Sequence, residues 1–82
     1  MPKSPVIMRR TQWKFERGAD PARVVLVKYY AVDDTVKEYS THLEVDHRVN
    51  PGGKLAMYSG HYFKKLGNAK ADFLIRKLKE GL

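Results

Sequence analysis

The 82-residue chain has no cysteine. A disulfide framework is therefore excluded, as is any zinc site built on thiolates, and the absence fits a reducing compartment. Its four prolines, Pro2, Pro5, Pro21 and Pro51, all fall outside the apolar stretches. No apolar run is long. Val24–Val32 is broken by Lys28 and is too short to span a bilayer. Val6–Met8 is too short for the apolar segment of a signal peptide and runs straight into Arg9 and Arg10. Acidic residues are scarce, nine Asp/Glu against sixteen Lys/Arg, for a net charge of +7. There is no Gly-x-Gly-x-x-Gly, no phosphate-binding P-loop, no nucleophile elbow and no His-Glu-x-x-His. On these grounds no enzymatic activity, cofactor or metal centre is expected.

What is present describes a globular protein. Apolar residues make up 43%, aromatic 11% and charged 30%, too many aromatic and β-branched residues for a disordered tail. The length is that of a single domain, read as a loose leader over residues 1–5 and one folded unit over residues 6–82. Such a chain has a small core and no covalent staple, so a homodimer is one way for it to gain stability. The expected setting is soluble, cytoplasmic or nucleoid-associated, with no membrane partner.

Charge is distributed unevenly. Residues 1–30 carry seven Lys/Arg and two Asp/Glu, residues 31–50 two and five, and residues 51–82 seven and two. Two basic segments thus flank an acidic one. That layout points to an anionic partner, of which nucleic acid is the commonest.

The hydrophobic pattern predicts four strands and a helix. In Val6–Arg17, Thr11, Trp13 and Phe15 alternate with Arg10, Gln12, Lys14 and Glu16, which reads as a first strand. Gly18-Ala19-Asp20-Pro21 is a turn. Arg23–Val32, β-branched and aromatic on both sides, reads as a central strand. Asp33-Asp34 turns the chain. Lys37–Val49 alternates strictly, with Tyr39, Thr41, Leu43, Val45, His47 and Val49 on one face and Ser40, His42, Glu44, Asp46 and Arg48 on the other. Asn50-Pro51-Gly52-Gly53 closes a hairpin, expected as a type I turn with Gly53 at positive φ. That turn sets Val49 opposite Leu55, Val45 opposite Ser59 and Thr41 opposite Phe63. Leu66–Leu82 reads as a helix capped by Asn68, with Phe73, Leu74, Ile75, Leu78 and Leu82 as its apolar face and Gly81 as its breaker. The fold class is α+β: a four-stranded antiparallel β-meander with one C-terminal α-helix packed across one face.

The second sheet face is the candidate functional surface. In the expected register it carries Tyr58 and Tyr62 beside His42, Glu44, Asp46 and Arg48. The central strand adds Val24, Leu26, Lys28 and Tyr30, or else Val25, Val27 and Tyr29. Rings interleaved with cations suit single-stranded nucleic acid, with bases stacking on the rings and phosphates meeting the cations. The same tyrosines could instead line a subunit interface. Arg9, Arg10, Lys14 and Arg17 form the nearest basic cluster, with Arg10 and Lys14 on one side of the strand and Arg9 and Arg17 on the other. They equally suit an edge strand guarded by charge. Lys64 and Lys65, with Lys70, form a second basic cluster at the helix N-terminus. His42, Glu44 and Asp46 lie in a row, but same-face neighbours on a strand are about 6.5–7 Å apart. One ion would strain to reach all three, so pairing with nearby Lys/Arg is the ordinary account.

The strand-strand-strand-strand-helix order over residues 6–80 resembles that of single-stranded-DNA-binding coactivator domains and Whirly-type domains. The resemblance is topological, carries no site residue across, and implies nucleic-acid binding only as an expectation. The primary expectation is therefore a small basic domain binding nucleic acid, single-stranded favoured, with little sequence specificity. Its contact residues would be Arg9, Arg10, Lys14, Arg17, Lys28, Tyr30, Tyr58, Tyr62, Lys64 and Lys65. The alternative is a protein-interaction module: a homodimer, or an adaptor or inhibitor with an acidic protein partner, of the kind found among compact phage and mobile-element proteins.

Overall fold

A computed structural model describes residues 3–82; Met1 and Pro2, the start of the expected leader, lie outside the described residues. Four strands form one antiparallel sheet in chain order: β1 (Val6–Arg10), β2 (Ala22–Tyr30), β3 (Val36–Asp46) and β4 (Leu55–Phe63). One helix, α1 (Leu66–Lys79), follows and packs across β2, β3 and β4. The expected α+β architecture is the one observed.

β2 is the spine. Its run of Val and Leu suits a strand covered on both faces, and Val24, Val25, Leu26 and Val27 are all buried. Val24 and Leu26 face α1, where they meet Ala69 and Phe73, with Met8, Tyr39, Phe63 and Leu82 at the margin. Fully burying a side chain of this size is worth about 1.5–3 kcal/mol, so a core this small leaves modest stability.

The strands are shorter than the hydrophobic pattern predicts, and local polar chemistry ends each one. β1 stops at Arg10 because Thr11 turns inward: its amide donates to the Val24 carbonyl, and its hydroxyl accepts the Val24 amide at 3.0 Å. The chain rejoins β2 only at Lys14, through a bridge to Ala22. β2 stops at Tyr30, where Asp33 accepts the amide and hydroxyl of Thr35 and Asp34 adopts a φ of 67°.

β3 stops at Asp46, three residues before the expected end. The Asp46 carboxylate accepts the Arg48 amide and caps a 3-10 turn over His47–Val49. Asn50-Pro51-Gly52-Gly53 then forms a type II turn: Gly52, not Gly53, takes the positive φ, and the Gly53 amide returns to the Asn50 carbonyl. Gly53 is required for another reason, since a Cβ there would sit 1.7 Å from the His47 carbonyl oxygen.

The 3-10 turn corrects the expected hairpin register. Asp46 lies opposite Leu55 and Val45 opposite Ala56, a slip of three residues. A β-bulge then shifts the ladder again, so Leu43 faces Tyr58 while Thr41 faces His61 and Tyr39 faces Phe63. Ser59, at φ 54°, lies in the bulge.

α1 begins after Lys65, which occupies the N-cap position without a side-chain hydrogen bond; the expected cap, Asn68, lies inside the first turn. The C-terminus is a Schellman motif: Gly81 has φ 73°, the Leu82 amide donates to the Lys77 carbonyl, and the Gly81 amide to that of Leu78. Only Ala69 and Phe73 are buried on the helix, whereas Leu74, Ile75 and Leu78 are exposed. Of the apolar face expected to pack on the sheet, Phe73 and Leu82 do so, whereas Leu74, Ile75 and Leu78 are turned outward. Polar contacts set this rotation. Asp72 accepts from the Thr41 hydroxyl at 2.5 Å, and Arg76 donates to the Ser59 carbonyl and, at 3.3 Å, to Asp72. Residues 72, 73 and 76 therefore face the sheet, and a 3.6-residue period carries 74, 75 and 78 away from it.

Candidate nucleic-acid interface

The residues expected to form one basic, tyrosine-bearing face are divided among several surfaces. The open face of the sheet displays Arg23, Val25, Val27 and Tyr29 from β2, opposite Glu44, His42, Ser40 and Glu38 of β3. Lys28 belongs to the helix-side row with Val6, Tyr39 and Phe63. Tyr30 is beside it, with Lys28 Nζ 5.5 Å and Lys3 Nζ 5.1 Å from its ring centre. Tyr62, opposite Ser40, is on the open face as expected. Tyr58, opposite Leu43, is on the helix side because the bulge reverses the alternation between them. No single face therefore carries the tyrosines and cations together.

The open face is a tight polar mosaic. Arg23 stacks over Trp13, 4.0 Å from the ring centre, and donates to Glu44 at 2.6 Å. The Ser40 hydroxyl bonds His42 Nε2 at 2.7 Å and the Tyr29 hydroxyl at 3.0 Å. Tyr62 meets the His42 ring edge-on, 5.8 Å between centres. Gly60 makes room for this imidazole: a Cβ there would lie 2.7 Å from His42 Cε1. Burial, then the positive charges of Arg76 and His61, push the His42 pKa below its ordinary value. The row His42, Glu44, Asp46 is not a ligand set here, because Arg23 holds Glu44 and Arg48 holds Asp46.

Other expected contacts have different occupations. Lys14 lies 2.9 Å from Glu16 and 3.9 Å from Glu80 at the C-cap of α1; its pKa is raised, chiefly by the Glu16 hydrogen bond. Lys64 lies 3.9 Å from Glu38. The Tyr58 hydroxyl bonds His47 Nε2 at 2.8 Å, and His47 Nδ1 bonds Asp20 at 2.6 Å, tying β4 to the loop before β2. Arg17, in the turn after Lys14, and Lys65, at the helix N-cap, are both exposed.

A different grouping emerges beside the outer strand. Arg10, Thr11 and Gln12 converge with Lys77, Gly81 and Leu82 around a cavity of about 420 Å³. A second, of about 220 Å³, is lined by Ile7, Met8, Arg9 and Arg10. No Asp or Glu side chain lines either one. Sequence reasoning singled out Arg9 and Arg10 but not Lys77. Its partners lie more than sixty residues away, and no local pattern could have joined them.

The carboxylates show why this surface stays basic. Every Asp and Glu is engaged within the chain: Glu16 and Glu80 by Lys14, Asp20 by His47, Asp33 by Thr35 and Asp34 by the Lys3 amide. Glu38 meets Lys64, Glu44 meets Arg23, Asp46 meets Arg48, and Asp72 meets Arg76, Thr41 and His61. By contrast, Arg9, Arg10, Arg17, Lys65, Lys70, Lys77 and Lys79 make no ion pair among the described residues. No helix among the described residues is long and apolar enough to cross a membrane. Comparison with family models, curated proteins and solved structures returns no match.

Proposed function

We propose that this protein binds nucleic acid, gripping the phosphate backbone with the unpaired cations of β1 and α1. The observation that carries this reading is the pairing pattern: all nine Asp and Glu side chains are engaged internally, while Arg10 and Lys77 line one cavity and Arg9 and Arg10 a second, neither with an Asp or Glu side chain. Unpaired cations attract a polyanion, and releasing the polyanion's counterions supplies the affinity. The rings stand apart from this surface, so it binds backbone and does not read bases.

The test is fluorescence anisotropy with labelled single-stranded and duplex DNA and RNA over a salt series. Binding should weaken steeply with salt. Arg9→Gln, Arg10→Gln and Lys77→Gln should each lower the log–log salt slope by about 1, and Tyr62→Ala should leave affinity unchanged. Absence of binding at low salt overturns the reading.

One observation favours a second reading. Leu74, Ile75 and Leu78 are exposed on α1 between Lys70 and Lys79, a stripe suited to an apolar segment with acidic flanks on a protein partner. That partner becomes the leading explanation if nucleic acid does not bind.

A further inference from the structure

The two edges of the sheet are built differently. β1 is five residues long, bulged between Ile7 and Arg9, and ends in two arginines. Those are the devices by which an edge strand avoids pairing with another chain. β4, the opposite edge, is nine residues long, and Leu55–Phe63 contains no Lys, Arg, Asp, Glu or Pro. Leu55, Met57, Tyr58 and Tyr62 are all exposed along it, Tyr62 to 59%. α1 packs on one face of β2, β3 and β4, and among the described residues no strand pairs with the outer edge of β4. Only the bulge at Ser59 and Gly60 interrupts β4.

We propose that β4 is a homodimer seam, pairing antiparallel with β4 of a second copy about a two-fold axis to make one continuous eight-stranded sheet. Three observations select a second copy as the occupant. First, an uncharged strand brings no like charges together when it meets itself. The exposed stripe of α1 fails this condition, since Lys70, Lys77 and Lys79 surround it on the same helix.

Second, the bulge makes β4 self-complementary in register. Before it, Met57 lies with the open face, opposite Glu44, and Tyr58 with the helix face, opposite Leu43. After it the alternation reverses: Tyr62 lies with the open face, opposite Ser40, and His61 with the helix face, opposite Thr41. A two-fold pairing that keeps both faces continuous along the whole strand therefore sets Met57 opposite Tyr62 of the partner subunit. The same register sets Tyr58 opposite His61 of the partner subunit and brings the two bulges together at the axis. It makes thioether–aromatic and aromatic–imidazole cross-strand pairs from side chains that are otherwise exposed.

Third, the buried core of one copy is small: Val24, Leu26, Ala69 and Phe73. A second copy extends the buried surface without any covalent staple. The proposal does not rest on nucleic-acid binding, because β1 and β4 are opposite edges.

The experiment has two parts. Light scattering coupled to size exclusion across a concentration series should return twice the 9.5 kDa chain mass. Met57→Lys should weaken self-association at least ~10-fold, because charge on an edge strand opposes pairing. Arg10→Gln on the other edge should leave it unchanged. Circular dichroism of each variant checks folding.

Because the chain has no cysteine, directed cross-linking is free of background. Met57→Cys and Tyr62→Cys should form a disulfide dimer when mixed and oxidised, and little when oxidised separately, because directly opposed Cβ atoms lie about 4.5–5.5 Å apart. A monomer at every soluble concentration overturns the proposal. So does a dimer that survives Met57→Lys and yields to Leu78→Lys. Cross-linking of Met57→Cys to itself in preference to the mixed pair overturns the register.

Discussion

Asp72 is the polar anchor that holds α1 in its observed rotation. Its Oδ2 accepts from the Thr41 hydroxyl at 2.5 Å and lies 3.0 Å from His61 Nδ1 and 3.3 Å from Arg76 Nε. Thr41 is fully buried in the middle of β3. Removing the carboxylate in Asp72→Ala leaves that hydroxyl without its partner, at a cost of about 1–3 kcal/mol. It also breaks the contact with Arg76, whose side chain is mostly covered. These losses share one atom and do not add independently. The expected destabilisation is about 2–3 kcal/mol, a fall in Tm of roughly 10–20 °C for a domain of this size. Asp72→Asn keeps an acceptor for Thr41 and loses only the charge, so about half that effect is expected.

The acid limb of the stability curve gives a second readout. Burial pushes the Asp72 pKa up, but the hydrogen bonds from Thr41 and His61 and the charges of His61 and Arg76 outweigh it and hold it below the ordinary carboxylate value. A carboxyl whose folded pKa is depressed contributes stability that is present above its unfolded pKa, near ~4. That contribution is lost as pH falls through the folded value. In Asp72→Asn, stability below about pH 4 should therefore fall less steeply than in the parent. Thermal melts followed by circular dichroism, with Trp13 fluorescence as a second probe of two-state behaviour, measure both effects. The account of helix placement is refuted if Asp72→Ala lies within about 0.5 kcal/mol of the parent, inside the range of a surface substitution.

Two further perturbations report on the open face. In Gly60→Ala the added methyl meets the His42 ring at 2.7 Å and Tyr62 at 3.1 Å; overpacking of this kind costs about 1–3 kcal/mol, and urea unfolding should show a lower midpoint with an unchanged m-value. His42 is buried and its pKa is lowered, chiefly by desolvation. The unfolded state thus binds the proton more readily, and stability should decline as pH falls below about 6.5. His42→Gln should flatten that decline, and an unchanged pH profile would show that another group is responsible.

Much of the fold was legible because burial writes a pattern of short period. The run Val24–Val27 announces a covered strand, and Gly81 announces a helix end; both stand as read. What was not legible turns on polar contacts that periodicity does not encode. Residues 37–49 alternate all the way to Val49, yet the Asp46 carboxylate finds the Arg48 amide two residues on and ends the strand early. That event slips the hairpin by three residues, and the bulge at Ser59 then carries Tyr58 to the opposite face from Tyr62. The rotation of α1 depends on Thr41 and Asp72, which are 31 residues apart, so Leu74, Ile75 and Leu78 were read as core and are exposed. For the candidate site, Arg9 and Arg10 were visible as a local cluster, whereas Lys77 joins them only through the packing of the helix end.

The two proposed surfaces can be judged apart because the sheet separates them. β1 and β4 are its outermost strands, and neighbouring strands stand about 4.8 Å apart, which puts the seam roughly 14 Å from the cationic edge. Charge at the seam should therefore act on self-association and only weakly, through screened solvent, on phosphate contact. Pairing through β4 would also place two copies of the Arg9, Arg10 and Lys77 surface at the ends of one continuous sheet. A polyanion long enough to span both ends would meet twice the cations, and the salt slope would rise accordingly. An oligonucleotide too short to span would not show that rise. Comparing short and long oligonucleotides for the parent and for Met57→Lys isolates this coupling. A length-dependent increase in salt slope in the parent that disappears in Met57→Lys requires both surfaces to act together. An equal increase in both chains assigns the length dependence to the nucleic acid alone.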